Sequence, residues 1–156
     1  MSAESMGILR MVMKMKDSKD VLCSIIKTTQ MGQIGIRSVL AAPLRASLKD
    51  ALRSQLKEYD TIEREALELA SCKGWTLKQL DPAVKHMTNV MTRAHLSVGN
   101  SNSKAAAMMI QGNTKGIIKG CKNLNRLAIP DERIAALSRK LLQCEQTNIR
   151  QMQEFL

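Results

Sequence analysis

Apolar residues recur at intervals of three and four along several long stretches of the chain, which is the spacing of amphipathic helices. The first stretch begins after Asp17 and Ser18, residue types that cap helix N-termini, and ends at Pro43. Pro43 can also serve as the first residue of the second stretch, which stops at the pair Lys73-Gly74. Because so few residues separate these two helices, we expect them to fold back on each other.

A shorter amphipathic stretch begins at Asp81-Pro82, an acidic cap followed by proline, and runs out near Gly99. The polar loop 99–103 offers N-caps for another long helix, and Pro130-Asp131-Glu132 opens the last helix, with proline at its start and acidic residues in its first turn. The pattern therefore predicts an all-α fold, an antiparallel four-helix bundle with up-down architecture. One extra short helix is expected between the second and third long helices.

Residues 1–16 precede the first of these helices and are rich in methionine. Arg10 and Lys14 interrupt the apolar run, so the segment lacks the long apolar core of an export signal. No run in the sequence approaches the length of a membrane-spanning helix. We therefore expect a Met-rich N-terminal extension over 1–16, either frayed or covering a groove, and a single cytoplasmic domain over 17–156.

Composition narrows the fold and the chemistry further. Aromatic residues make up 2% of the chain, which suits a helical core better than a β-sandwich and offers no stacking platform for single-stranded nucleic acid. The four cysteines lie far apart without a CxxC pair, so we expect reduced thiols that pack as small apolar side chains. His86 and His95 show no spacing typical of zinc ligands.

Four polar residues fall near the inner faces of the predicted helices. They are Gln33, Gln55, Gln111 and Glu145. Buried polar groups need partners, so these residues could form a polar layer inside the bundle that fixes the helix register or binds a small ligand. The alternative is that most of them point sideways into water.

Glycines repeat every fourth residue on one face of the penultimate helix, at Gly112, Gly116 and Gly120. Each costs about 0.5–1 kcal/mol relative to alanine in a helix interior, so a compensating close contact is expected. The backbone of the first long helix at Gly32 is the predicted neighbour. A kinked or loosely wound helix is the alternative.

The formal charge of +10 is unevenly distributed along the chain. Between Glu68 and Asp131 the sequence has one acid, Asp81, against nine lysines and arginines. Four of the nine lie on one continuous helical face, here called the basic stripe: Lys115, Lys119, Lys122 and Arg126. Such a stripe could bind phosphates or another polyanion without reading bases, or it could be a solvated face.

Several segments resemble small uncharacterised proteins of anaerobic Firmicutes with a ferritin-like four-helix architecture. The similar segments are Met31-Gly32, Gln55–Tyr59, Met108–Ile118, Arg139–Ile149 and Met152–Leu156. The resemblance spans roughly residues 18–156. It implies a ferritin-like bundle, and it implies no particular activity.

Ferritin-like di-iron sites combine inward carboxylates with two Glu-x-x-His pairs. Here Glu145 is followed three residues later by Asn148, and Glu58 by Thr61, so both histidines are absent. The chain also has no nucleophile elbow and no phosphate loop.

These patterns favour a non-catalytic ferritin-like bundle without di-iron ligands or another cofactor, with a structural or protein-interaction role, as a homodimer. One alternative is a basic helical module that binds nucleic acid or another polyanion non-specifically. The other is an atypical metal-dependent ferritin-like oxidoreductase.

Overall fold

The computed structural model describes residues 2–14, 17–96, 99–128 and 131–156, apart from the side chains of 9–14, 87, 89–91 and 93–95. The part of the chain that it describes is all-helical, with six helices. They are α1 (Ala3–Lys14), α2 (Ser18–Leu40), α3 (Ala46–Cys72), α4 (Pro82–Leu96), α5 (Ser101–Arg126) and α6 (Glu132–Gln153).

Acidic and amide side chains begin the helices where the sequence placed them. The side chain of Asp17 accepts a hydrogen bond from the backbone N–H of Asp20, and Asn100 caps α5 through the N–H of Ser103. The predicted helix start at Pro43 was wrong: α3 begins at Ala46, and Pro43 lies in the connection between α2 and α3. Leu44, next to it, is buried, so this connection is held against the core.

Helix α2 is at the centre of the packing, because it contacts α3, α4, α5 and α6. Helix α6 also contacts α3 and α5, and α4 also contacts α5. The largest fully buried apolar side chains come from α2, α3 and α6: Tyr59, Leu22, Ile26, Ile36, Leu48, Leu52, Ile62, Ile134 and Met152. Ala105 and Ala106 of α5 are also fully buried, and small side chains let helices approach closely.

The predicted N-terminal extension contains α1, whose described side chains, residues 2–8, are all exposed. Met6 and Ile8 are the large apolar residues among them. Met1, Met15 and Lys16 lie outside the described residues, as does Pro130 before α6. No helix in the part of the chain that the structure describes is both long and apolar enough to cross a membrane.

Candidate functional site

Three helices bring polar side chains together inside the protein. Tyr59 of α3 donates a hydrogen bond from its hydroxyl to Oδ1 of Asn113 on α5, at 2.7 Å. Asn148 of α6 donates to the same oxygen at 3.3 Å, and the Asn113 amide nitrogen donates to the carbonyl of Met109 at 2.7 Å. All three polar side chains are at most 2% exposed. This buried network ties α3, α5 and α6 to one another.

Glu145 of α6 lies beside this network with its side chain 2% exposed. Its carboxyl group occupies the space above Gly116 of α5, where a Cβ would overlap Oε1 and stand 2.6 Å from Cδ. In the same way Gly32 of α2 leaves room for the ring of Tyr59, whose Cζ would be 2.7 Å from an added Cβ. The two glycines therefore make space for the two titratable side chains of the site.

The predicted close approach of two helix backbones at the glycine stripe was wrong. Side chains, not backbone, fill the space at Gly32, Gly116 and Gly120, where Leu142 Cδ2 would lie 2.8 Å from an added Cβ. At Gly112 nothing lies within 4 Å of an added Cβ. Of the three glycines on this face, Gly116 and Gly120 therefore contact side chains of α6, whereas Gly112 faces open space.

The open position at Gly112 faces a cleft of about 420 Å³ between α2, α4 and α5. Its wall is mostly apolar, and the polar residues in it include the buried side chains of Tyr59, Asn113 and Glu145. The remaining lining residues include Met31, Gly35, Val39, Leu80, Thr88, Thr92, Met108, Met109, Gly112 and Gly116, with Lys27, Lys115 and Lys119 as the cations. This volume lies within the range of small-molecule pockets, about 300–1,000 Å³.

One carboxyl oxygen of Glu145 has no hydrogen-bond partner among the described residues, although it is buried. Burial raises the pKa of Glu145 to about 8, and a hydrogen bond with Tyr59 offsets the effect only in part. Near neutral pH the carboxyl is therefore mainly protonated, so its free oxygen can donate or accept a hydrogen bond.

The neighbours of Glu145 are also kept in their neutral forms. Burial raises the pKa of Tyr59 far above its ordinary value, and the charge of Glu145 adds to the effect. Burial raises the pKa of Cys144 to about 12, assisted by the hydrogen bond that its thiol donates to Glu58 at 3.2 Å. A neutral Tyr59, Cys144 and Glu145 give the site no fixed charge of its own near pH 7.

The predicted polar core layer is only partly present. Gln33, Gln55 and Glu145 are buried, whereas Gln111 is exposed and does not belong to the group. Gln33 donates to Glu63, and Gln55 donates to Gln151 at 2.8 Å. Each buried residue therefore has a different partner, and the three do not form one connected layer.

Asn113, and not Gln111, is the residue of α5 that adds a polar side chain to the buried network. Two residues along an α-helix rotate the side chain by about 200°, so an error of two positions exchanges the inner face for the outer one. The available signal was that Asn113 follows the apolar pair Met109-Ile110 by four and three residues, which places it on the inward stripe. The position of Asn148, three residues after Glu145, indicates only a missing metal-binding histidine, and no local pattern in the sequence indicates its hydrogen bond with Asn113.

The basic stripe lies on α5 with all four side chains exposed. None of the four forms an ion pair with a carboxylate in the described ranges. Lys115 and Lys119 line the cleft, whereas Lys122 and Arg126 lie beyond it. The stripe is therefore divided between the mouth of the cleft and open surface.

The four cysteines are free, but the prediction that all pack as apolar side chains was wrong. Cys144 is buried, Cys23 is intermediate, and Cys72 and Cys121 are exposed. No group of three or more His, Cys, Asp or Glu side chains suited to hold a metal ion occurs within the described ranges, and the side chain of His95 lies outside them.

Comparison with known proteins gives this chain no relative. No family model matches the sequence, no curated protein matches it, and no solved structure matches the fold.

Proposed function

We propose that this protein is a non-catalytic binding module whose cleft between α2, α4 and α5 takes a small, largely apolar molecule. The observation that carries the proposal is a cleft of about 420 Å³ with a mainly apolar wall, to which the buried carboxyl group of Glu145 belongs. A hydrogen bond between a ligand and such a carboxyl group contributes about 0.5–1.5 kcal/mol.

The shape and polarity of the cleft support the same function. Small-molecule sites combine a mainly apolar wall with a few fixed polar groups that orient the ligand. Here methionines 31, 108 and 109 supply flexible apolar surface, and glycines 35 and 112 keep the space open. The network of Tyr59, Asn113 and Asn148 fixes the polar end, because each of these side chains is already hydrogen-bonded.

A neutral apolar dye that fluoresces on leaving water, N-phenyl-1-naphthylamine, tests the proposal directly. We expect saturable binding to the parent protein, and a loss of affinity of about tenfold or more in Gly112→Leu, where a leucine side chain fills the cleft. Gln111→Leu is the matched control, because it adds the same side chain one residue earlier on the exposed face of α5. Equal binding by both variants would contradict the proposal.

We also propose that α2, α3, α5 and α6 form an antiparallel four-helix bundle of the ferritin-like type. The contacts α2–α3, α3–α6, α6–α5 and α5–α2 are those of four helices around one core, and short connections suit antiparallel neighbours. Helix α4 would then lie against the α2–α5 side of the bundle. A homodimer, a protein partner and a cytoplasmic location stay predictions from the sequence.

Binding of a polyanion by the basic stripe is a second candidate function. Its support is that four exposed cations follow one face of α5 without a carboxylate partner among the described residues. Phosphate contacts of this kind position a nucleic acid without reading its sequence. The salt dependence of duplex binding tests this function, as described in the Discussion.

A further inference from the structure

The cleft has two chemically different ends, and this difference indicates what kind of molecule fits it. At the inner end the wall includes the buried carboxyl group of Glu145. At the outer end three cations line the cleft: Lys27 of α2, and Lys115 and Lys119 of α5. Between the two ends the wall consists mainly of methionine, valine, leucine and glycine.

The cations decide the sign of the ligand. The chain carries a formal charge of +10, and among the described residues that line the cleft Glu145 is the only acid. A cationic ligand would have to pass the three lysines, and like charges repel it at every step of its approach. An anionic group is attracted to them and can remain hydrated at the mouth, where it needs no costly desolvation.

The size of the cleft limits the apolar part of the ligand. Each water takes about 30 Å³ in the liquid, so 420 Å³ corresponds to roughly fourteen waters, or a chain of about ten carbon atoms with some room left. A plain methyl end cannot hydrogen-bond with the carboxyl group of Glu145. A hydroxyl or carbonyl group at that end can form this bond.

We infer that the cleft binds an amphipathic organic acid with its anionic group at Lys27, Lys115 and Lys119, its apolar chain inside, and a hydroxyl or carbonyl group at Glu145. This inference rests on the proposed function, since it names the ligand class for the same cleft. It assigns the lysines to the head group and the carboxyl to the distal end of one molecule.

Four ligands with the same chain separate the two ends of the site. They are decanoate, 10-hydroxydecanoate, 1-decanol and decylammonium, titrated calorimetrically below their micelle concentrations. We expect 10-hydroxydecanoate to bind tightest, decanoate next, 1-decanol about tenfold more weakly than decanoate, and decylammonium weakest. Exposed ion pairs are individually weak, so the tenfold effect is assigned to the three lysines together.

A triple variant tests the position of the anionic group. Lys27→Gln/Lys115→Gln/Lys119→Gln should lower the affinity for decanoate to that for 1-decanol and leave 1-decanol binding unchanged. The matched control, Lys57→Gln/Arg64→Gln/Arg150→Gln, removes three exposed charges of α3 and α6 outside the cleft and should change decanoate affinity by about twofold at most, because distant charges are screened.

The outcomes distinguish this inference from the function on which it rests. If 1-decanol or decylammonium binds as tightly as decanoate, the ligand is not an acid, although the cleft still binds apolar molecules. Equal affinities for decanoate and 10-hydroxydecanoate would overturn the placement of a polar end at Glu145. If none of the four ligands and no neutral dye binds, the proposed function fails as well.

Discussion

The carboxyl group of Glu145 occupies the position that a side chain on Gly116 would need. An added Cβ would overlap Oε1 and stand 2.6 Å from Cδ, so a buried carboxyl and any larger residue at 116 exclude each other. One turn earlier on the same helix, Gly112 has nothing within 4 Å of an added Cβ. Substitutions at Gly116 and Gly112 therefore compare a position that contacts a side chain with an open position one turn away on the same helix.

Substitution of these two glycines by leucine should have opposite effects on stability. Gly116→Leu should lower the free energy of unfolding by about 1–3 kcal/mol, because Glu145 must leave its site. Gly112→Leu should leave it unchanged or raise it by up to about 1 kcal/mol, because leucine favours helix more than glycine. Urea denaturation followed by circular dichroism measures both values, and equal changes in the two variants would contradict the assignment.

Glu145 should make the protein less stable as the pH rises. Its pKa is about 8 in the folded protein against an ordinary value of 4.5, so the folded state holds this proton more tightly than the unfolded chain. Its contribution to stability is therefore greatest below pH 4.5, decreases as the pH rises through 8, and levels off above that value. The decrease should be on the order of a few kcal/mol.

The variant Glu145→Gln isolates this contribution, because glutamine has nearly the same shape and no titrating group. Between pH 5 and 9 the parent should lose stability relative to the variant, as measured by urea unfolding at each pH. Glu154→Gln is the control, since Glu154 is exposed at the end of α6. A constant difference between parent and Glu145→Gln across this range would show that Glu145 does not titrate as the fold implies.

Tyr59 should resist ionisation until the protein unfolds. It is the only tyrosine in the chain, so phenolate absorbance reports on this residue without assignment. Burial and the nearby carboxyl of Glu145 raise its pKa in the folded state, whereas a tyrosine in an unfolded chain ionises near pH 10. We expect phenolate to appear only together with the loss of helical circular dichroism, and near pH 10 in urea-unfolded protein. Phenolate formation while the helices persist would contradict this burial.

Several helix boundaries, although not the start of α3, were predictable because short-range chemistry sets them. Asp17 caps α2, and Asp81 accepts a hydrogen bond from the N–H of Ala83 at the start of α4. Gly74, with φ of +67°, follows the end of α3 as its position after Lys73 indicated. In each case the residues that set the helix end lie within a few positions of one another, so the local sequence is enough to predict that end.

The site was predictable only in part because it depends on the relative phase of several helices. Glu145 was correctly placed on an inner stripe, but its partner Tyr59 comes from 86 positions earlier, and no local pattern pairs them. The error at Gln111 was an error of helix rotation. The cleft lies between α2, α4 and α5. Its presence depends on how these helices pack against one another, and no local residue pattern indicates that.

Asp131 should stabilise the start of α6 through two separable contributions. Its Oδ1 accepts from the N–H groups of Arg133 and Ile134, and its Oδ2 pairs with Lys73 at 2.6 Å. Asp131→Ala should cost about 1–2 kcal/mol through loss of the cap, whereas Asp131→Asn keeps a capping oxygen and should cost less than half as much. Urea denaturation at pH 7 measures both.

The pH dependence distinguishes the charge of Asp131 from its cap. The hydrogen bond with Lys73, above all, lowers the pKa of Asp131 below its ordinary value of 3.8. The resulting stabilisation is complete above that ordinary value and is lost as the pH falls through the lower pKa of the folded state. The difference between parent and Asp131→Asn should therefore shrink on acidification. A difference that grows towards low pH would contradict the ion pair.

The basic stripe of α5 should give duplex DNA binding a defined salt dependence if its four cations contact phosphates. Each contact releases counterions, so log K should fall with log salt at a slope of about −0.9 per contact, or −3 to −4 for the whole stripe, with little sequence preference. Changing all four residues to glutamine should flatten this slope while keeping the helix intact.

The control with the same loss of charge replaces exposed cations of α3 and α6, namely Lys57, Arg64, Arg139 and Arg150. The slope for this control should stay near that of the parent. If the two quadruple variants have the same slope, the charge of the whole protein rather than the basic stripe is responsible for duplex binding. If the parent protein does not bind the duplex at low salt, the proposal of a polyanion-binding function is wrong.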